Sequence, residues 1–318
     1  MSAPPLLVLG VRRSGTTLLR VVLDRHSELA VPDESYFVPQ LADRHGGRID
    51  VEAFVDDLRR LPTLREWDVS AAAVRTRLRP GMGLGDAVAA VYGAYAAARG
   101  KSRWGDKTPM YMQHLPLLER LFPTARYVHL VRDGRDAALS FLAMPRGIVT
   151  EGWGHPRTAR SFACQWRSEV RAARALGVRV GERYLEVRYE ELVAGAAAVV
   201  ERICVFAGLD YEPAMLEYEG TVDVSAKPHQ QRLRQAPTPG VRDWRADMAP
   251  EDVAAFEAVA GDLLAELGYE TVTEPSAAAR ARGRAALAGY AARTAAWRAA
   301  GRAVRRSPLW KRRHPPLA

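Results

Sequence analysis

Leu6-Leu7-Val8-Leu9-Gly10-Val11-Arg12-Arg13-Ser14-Gly15-Thr16-Thr17 is the stretch that decides the fold of this chain. Its first four residues form a continuous apolar run, the pattern of a strand covered on both faces. Residues 17–25 follow with Leu18, Leu19, Val22 and Leu23 at helical spacing. A strand that enters a helix through a glycine turn lets backbone N–H groups converge on one point, where the helix dipole favours an anion. Arg12 and Arg13 bring positive charge to that turn; Ser14, Thr16 and Thr17 bring hydroxyl donors. Gly10 and Gly15 have the spacing of a Walker loop, but Thr16 stands where that loop carries its lysine. The segment therefore reads as a phosphate-binding loop without the lysine that serves nucleoside triphosphate hydrolysis.

Working outward, residues 127–131 and 184–187 are two further apolar runs of buried-strand type. Helical patterns lie between and around them, at 84–99, 115–122, 159–176 and 192–207. Strands that alternate with helices predict an α/β, P-loop-like three-layer fold, a central parallel sheet flanked by helices. Residues 228–240, rich in Gln, Arg and Pro, read as a surface loop. Pro250 opens a last helix of the domain, which Gly268 ends. A shift to Ala/Arg-rich sequence places a boundary near residue 272, giving a domain over 1–272 and a basic helical extension over 273–318.

The composition of the 318 residues, 48% apolar and 26% charged, is that of a globular protein. The net charge of +9 invites a nucleic-acid reading, until its location is considered. The extension holds eleven Lys/Arg against one acid, whereas the other residues hold 35 basic and 36 acidic side chains. All of the excess belongs to the extension and the rest of the chain is nearly neutral, so no nucleic-acid partner is expected for the domain. Cys164 and Cys204 lie in apolar-periodic stretches without metal-ligand spacing, and no metal is expected. Residues 6–9 are too short a run for a leader or a membrane span, so a cytoplasmic setting is expected. The Ala/Arg-heavy composition suggests a GC-rich bacterial genome.

Arg13-Ser14-Gly15-Thr16-Thr17-Leu18-Leu19, directly after a buried strand, resembles the 5′-phosphosulfate loop of sulfotransferases that use 3′-phosphoadenosine 5′-phosphosulfate (PAPS). That family usually has proline before the basic residue, where this chain has Arg12. The resemblance implies a second anion site for the 3′-phosphate: an arginine at a strand end and a serine eight residues later. Arg132 and Ser140 match it within Tyr127-Val128-His129-Leu130-Val131-Arg132-Asp133-Gly134-Arg135-Asp136-Ala137-Ala138-Leu139-Ser140. Leu29-Ala30-Val31-Pro32-Asp33-Glu34-Ser35 is similar to the region of the tyrosylprotein-sulfotransferase-like branch that supplies a glutamate base. Glu34 holds that position, and Asp33 is its competitor. Trp104-Gly105-Asp106-Lys107-Thr108-Pro109 matches a further family pattern, in which the lysine lies near the donor's bridging oxygen. By the same resemblance Tyr189, Ser225 and Arg234 contact the donor.

The resemblance thus implies transfer of a sulfuryl group from PAPS to an acceptor hydroxyl, leaving 3′-phosphoadenosine 5′-phosphate (PAP). The catalytic residues it implies are Glu34 and Lys107; those for the donor are Arg13, Ser14, Gly15, Thr16, Thr17, Arg132, Ser140, Tyr189, Ser225 and Arg234. The acceptor stays open among small molecules, glycans or lipids and protein tyrosine. Tyr36, Phe37, Trp67, Tyr92 and Tyr95 are candidates either for its pocket or for the core. The alternatives are a P-loop nucleotide kinase or NTPase, and a non-catalytic nucleotide-binding module. In the extension, Leu287, Tyr290, Thr294, Trp297, Gly301 and Val304 recur at intervals of three and four, with arginines at the other positions. Such a basic helix suits peripheral contact with an anionic membrane, docking of a partner, a homodimer contact, or packing on its own domain.

Overall fold

Alternation of apolar side chains on a strand feeds two cores at once, and the first strand does so here. In a computed structural model that describes residues 3–144, 155–218 and 243–306, β1 (Leu6–Leu9) directs Leu7 and Leu9 into one apolar cluster and Leu6 and Val8 into another. The chain continues through α1 (Thr16–Asp24), β2 (Leu29–Ala30), α2 (Phe37–His45), α3 (Val51–Arg60), α4 (Pro62–Glu66), α5 (Ala71–Arg75), α6 (Leu84–Ala97) and β3 (Arg103–Lys107). A 3₁₀ turn at Pro109–Gln113 leads into α7 (Leu115–Leu121), β4 (Arg126–Val131), α8 (Gly134–Leu142), α9 (Ala159–Val180) and β5 (Tyr184–Arg188). Then follow α10 (Tyr189–Ala194), α11 (Ala196–Ala207), α12 (Trp244–Asp247), α13 (Pro250–Glu266) and α14 (Ala277–Arg306).

The five strands lie in the order β2-β3-β1-β4-β5 and all pair in parallel. Leu6 sits beside Gly105 on one flank and Arg126 on the other. Helices cover both faces, which is why β1, the middle strand, is apolar and buried throughout. The chain leaves β1 towards β3 and returns on the other side to β4, so the strand order reverses at β1. A crevice opens outside the carboxyl ends of the strands at such a switch point. Gly10, Lys107 and Arg132 stand at the ends of β1, β3 and β4 and therefore share that edge.

The expected α/β architecture is present, with differences in detail. Strands β2 and β3 were not anticipated. The helix expected over 192–207 is two helices, α10 and α11, separated at Gly195. The aromatic residues Phe37, Trp67, Tyr92 and Tyr95 are core: each is at most 6% exposed, and Trp67 lies 5.1–5.7 Å from the other three rings. Tyr36, by contrast, is 46% exposed. Helix α14 packs on α9 and α13. At Gly283 a Cβ would come within 2.2 Å of the Ala258 carbonyl oxygen, so only glycine lets the two helices approach this closely. Leu287 and Tyr290 of the apolar stripe pack against the core, whereas Trp297 and Val304 are exposed.

Candidate active site

The loop after β1 takes its shape from two backbone positions with positive φ, Arg13 (71°) and Gly15 (88°). Gly10 must be glycine for space: a Cβ there would lie 2.6 Å from Thr16 Cγ2 and 2.9 Å from the Leu130 carbonyl oxygen. Gly15 precedes α1, and no side chain caps that helix. The first-turn N–H groups, with no acidic residue beside them, are thus available to an anion. Ser14 is buried, and its Oγ has no hydrogen-bond partner. A buried hydroxyl without a partner costs stability, and an anion oxygen in the loop would satisfy it.

Arg132 extends from the end of β4 to the same loop. Its Nη1 donates to the Arg13 carbonyl oxygen at 3.2 Å, its guanidinium lies 4.5 Å from the centre of the Tyr189 ring, and its buried Nε has no partner. Ser140, two turns into α8, accepts from Arg13 Nε at 2.9 Å. Arg13, Arg132, Ser140 and Tyr189 therefore converge, although they come from four separate elements. Tyr189 also explains Gly15, where a Cβ would be 2.3 Å from its ring. These residues fit a donor with two anionic ends: the loop offers N–H and hydroxyl groups, and the strand end a guanidinium with an unused Nε.

Lys107 closes the other side. Its side chain is 1% exposed, and its Nζ lies 2.6 Å from Glu34 Oε1 and 3.3 Å from Thr17 Oγ1. Burial lowers the pKa of this ammonium, and the Glu34 carboxylate opposes the shift. Glu34 also accepts from the Tyr36 hydroxyl. Asp33, its competitor, pairs instead with Arg20 at 3.1 Å and is the more exposed of the two, 43% against 25%. Ser225 and Arg234 lie outside the described residues.

The sequence reading did not anticipate two polar clusters. One joins Ser35, Tyr92, Asp106, Thr108 and Tyr111 behind Glu34 and Lys107. The other surrounds the fully buried Arg135. Its Nε and Nη2 meet the Asp133 carboxylate at 3.0 and 2.7 Å, and its Nη1 meets Glu257 at 2.6 Å. Its guanidinium stacks on Trp244 at 3.6 Å, which anchors the start of α8 to α12 and α13. Asp133-Gly-Arg135 was visible as a helix start, but Glu257 and Trp244 are more than a hundred residues away.

Comparison with known proteins identifies the family. The model of the sulfotransferase family matches residues 4–213, and the chain belongs to that family. It is an enzyme of sulfuryl transfer with PAPS as donor and PAP as product; the nucleotide kinase or NTPase alternative is not favoured. Among its relatives is nodulation protein NoeE of Sinorhizobium fredii, 28% identical over 292 residues that cover 83% of this chain and 65% of NoeE. The chain thus spans just under two thirds of NoeE's length. Protein-tyrosine sulfotransferase A of Caenorhabditis elegans is 26% identical over 283 residues, 86% of this chain and 69% of that protein. In fold it is similar to the sulfotransferase domain from the curacin biosynthetic pathway, with a TM-score of 0.61 and 22% identity over 86% of this chain and all of that domain.

Proposed function

We propose that this chain sulfates an acceptor hydroxyl by in-line transfer, with Glu34 as general base and Lys107 as the cation beside the leaving oxygen. One observation carries the reading: the buried Lys107 ammonium touches both the Glu34 carboxylate and Thr17 of the phosphate loop. PAPS supplies the activated sulfuryl group. Arg13, Ser14, Gly15, Thr16 and Thr17 hold its 5′ end, and Arg132, Ser140 and Tyr189 its 3′-phosphate. Ser225 and Arg234 are proposed to complete the donor site. Glu34 takes the acceptor proton as the acceptor oxygen bonds to sulfur. Lys107 neutralises charge on the 5′-phosphate oxygen as its bond to sulfur breaks. A lysine suits that task because a point charge on a flexible stem follows charge as it moves.

Glu34 is preferred over Asp33 because Asp33 is held by Arg20 and Glu34 by Lys107. Glu34→Gln is expected to lower turnover of radiolabelled PAPS by about 10²–10⁴-fold and to leave PAP affinity within a few-fold. Asp33→Asn should retain most of the rate. A normal rate in Glu34→Gln, with the rate lost in Asp33→Asn, would reassign the base.

The acceptor class is proposed to be a small molecule, glycan or lipid of a bacterial cell, and the setting cytoplasmic. No helix among the described residues is long and apolar enough to cross a membrane. Residues 1–272 are proposed as the catalytic domain and 273–318 as a basic extension. Its exposed Trp297, among arginines, suits peripheral contact with an anionic surface. Deleting residues 275–318 should abolish co-sedimentation with phosphatidylserine vesicles. Unchanged co-sedimentation would refute the contact, and a dimer-to-monomer shift on deletion would assign the helix to a homodimer instead.

A further inference from the structure

The residues on either side of the Glu34–Lys107 pair belong to one closed hydrogen-bond cluster. Ser35 follows Glu34 in the chain, and Asp106 and Thr108 flank Lys107. Ser35, Asp106, Thr108, Tyr92 and Tyr111 are each at most 3% exposed. Asp106 Oδ2 accepts from Tyr92 at 2.8 Å, Ser35 at 2.9 Å and Thr108 at 3.1 Å. Ser35 N–H donates to Thr108 Oγ1 at 3.0 Å. Tyr111 OH lies 2.6 Å from Ser35 Oγ and accepts from Val38 N–H at 3.1 Å.

The donor inventory gives the cluster a direction. A serine hydroxyl has one hydrogen, and here it points at Asp106, so Tyr111 must donate to Ser35. The chain Val38 N–H, Tyr111 O–H, Ser35 O–H, Asp106 then runs from α2 through the 3₁₀ turn to β3. Three parts of the fold are thereby held in register at the two residues beside the reacting groups. A buried carboxylate is costly to stability, and an apolar cluster of similar volume would serve packing as well or better. Burial lifts the Asp106 carboxyl to about 6, against its hydroxyl donors. The three hydroxyl donors converge on Oδ2, so the carboxylate form is the one the cluster is built to hold.

We propose that Asp106, Ser35 and Tyr111 are positioning residues that set Glu34 against Lys107 for proton transfer. This inference rests on the proposed roles of Glu34 and Lys107. Reaction geometry is steep in distance, with a misplacement of about 1 Å costing on the order of 100-fold in rate. Loss of the cluster should therefore lower the turnover number while the donor site, built from other elements, keeps its affinity.

The test uses the full chain with radiolabelled PAPS and 4-nitrophenol as the probe acceptor, beside calorimetry with PAP. Tyr111→Phe keeps the ring and its packing, so it serves even if Asp106→Asn does not fold. Tyr111→Phe is expected to lower kcat roughly tenfold and Asp106→Asn roughly 100-fold, with PAP affinity within twofold of the parent. In a crystal structure of Tyr111→Phe the Glu34–Lys107 distance should lengthen from 2.6 Å. Parental kcat in folded Tyr111→Phe, with Glu34→Gln inactive, would overturn the positioning role and leave the proposed function standing. Parental kcat in Glu34→Gln would overturn both.

Discussion

Replacing Arg135 by methionine should destabilise the protein by about 4 kcal/mol, because it leaves two buried carboxylates facing each other without their cation. The structure supplies the terms. Arg135 forks onto Asp133 with two bonds, gives one to Glu257 and one to the Glu270 carbonyl oxygen at 2.7 Å. Breaking a buried pair costs about 3–5 kcal/mol. The lower half of that range is excluded because both carboxylates lose a charged donor. The upper end is excluded because Asp133 keeps the Arg135 backbone N–H at 2.9 Å and Glu257 keeps Thr273 N–H at 2.8 Å. With an unfolding entropy of about 2.1 cal/mol/K per residue over the chain, 4 kcal/mol lowers Tm by about 6 °C. Differential scanning calorimetry measures it directly. Arg135→Lys should fall between, since an ammonium keeps the charge but cannot fork. A Tm change below 2 °C for Arg135→Met would refute the reasoning, because the two carboxylates would then be stable without their partner.

Gly15→Ala should weaken PAP binding by about tenfold or more, from about 1–2 kcal/mol of left-handed strain and displacement of Tyr189 from Arg132. Gly100→Ala is the control: its φ is 69°, but a Cβ there meets nothing within 4 Å. It should leave PAP affinity unchanged, and equal losses in the two variants on calorimetry would refute the steric account. Glu169, buried in α9, has its carboxyl raised from 4.5 to about 7, chiefly by burial and against Gln165 and Arg12. A raised acid pKa means the folded chain holds the proton more tightly than the unfolded one. The associated stability is full below about pH 4.5 and is lost as pH rises through about 7, at most about 3 kcal/mol. Glu169→Gln removes that slope, so its Tm minus that of the parent should grow by several degrees from pH 5 to pH 8. A constant difference would refute it.

What was legible in the sequence follows from what each residue does. Strands β1 and β4 could be read because apolar side chains bury them, and β5 from Leu185 and Val187, although only Val187 of that strand is buried. Strand β3 could not, because Gly105, Asp106 and Lys107 serve backbone approach, the polar cluster and the site rather than the core. A Cβ at Gly105 would lie 2.6 Å from the Leu6 carbonyl oxygen, so even its glycine belongs to the sheet. Strand β2, two residues long, has no period to detect. The phosphate loop and the Arg132/Ser140 pair were legible because chain order and local spacing carry them. The partners of Arg135 and Asp106 were not, since tertiary packing alone brings Glu257 to the first and Ser35 and Tyr92 to the second. The apolar stripe of α14 was legible as a face, but not that Leu287 and Tyr290 pack on the core while Trp297 and Val304 are exposed.

The central claim is a donor site with two anion-binding ends, one in the loop after β1 and one at Arg132. Isothermal titration calorimetry of PAP and ATP against the parent and Arg132→Ala tests it most directly. The guanidinium's charge-assisted bonds are worth about 1.5–3 kcal/mol, so PAP should bind the parent in preference to ATP, and Arg132→Ala should weaken PAP by about tenfold to 100-fold. Equal or tighter binding of ATP, or PAP binding untouched by Arg132→Ala, would contradict the account.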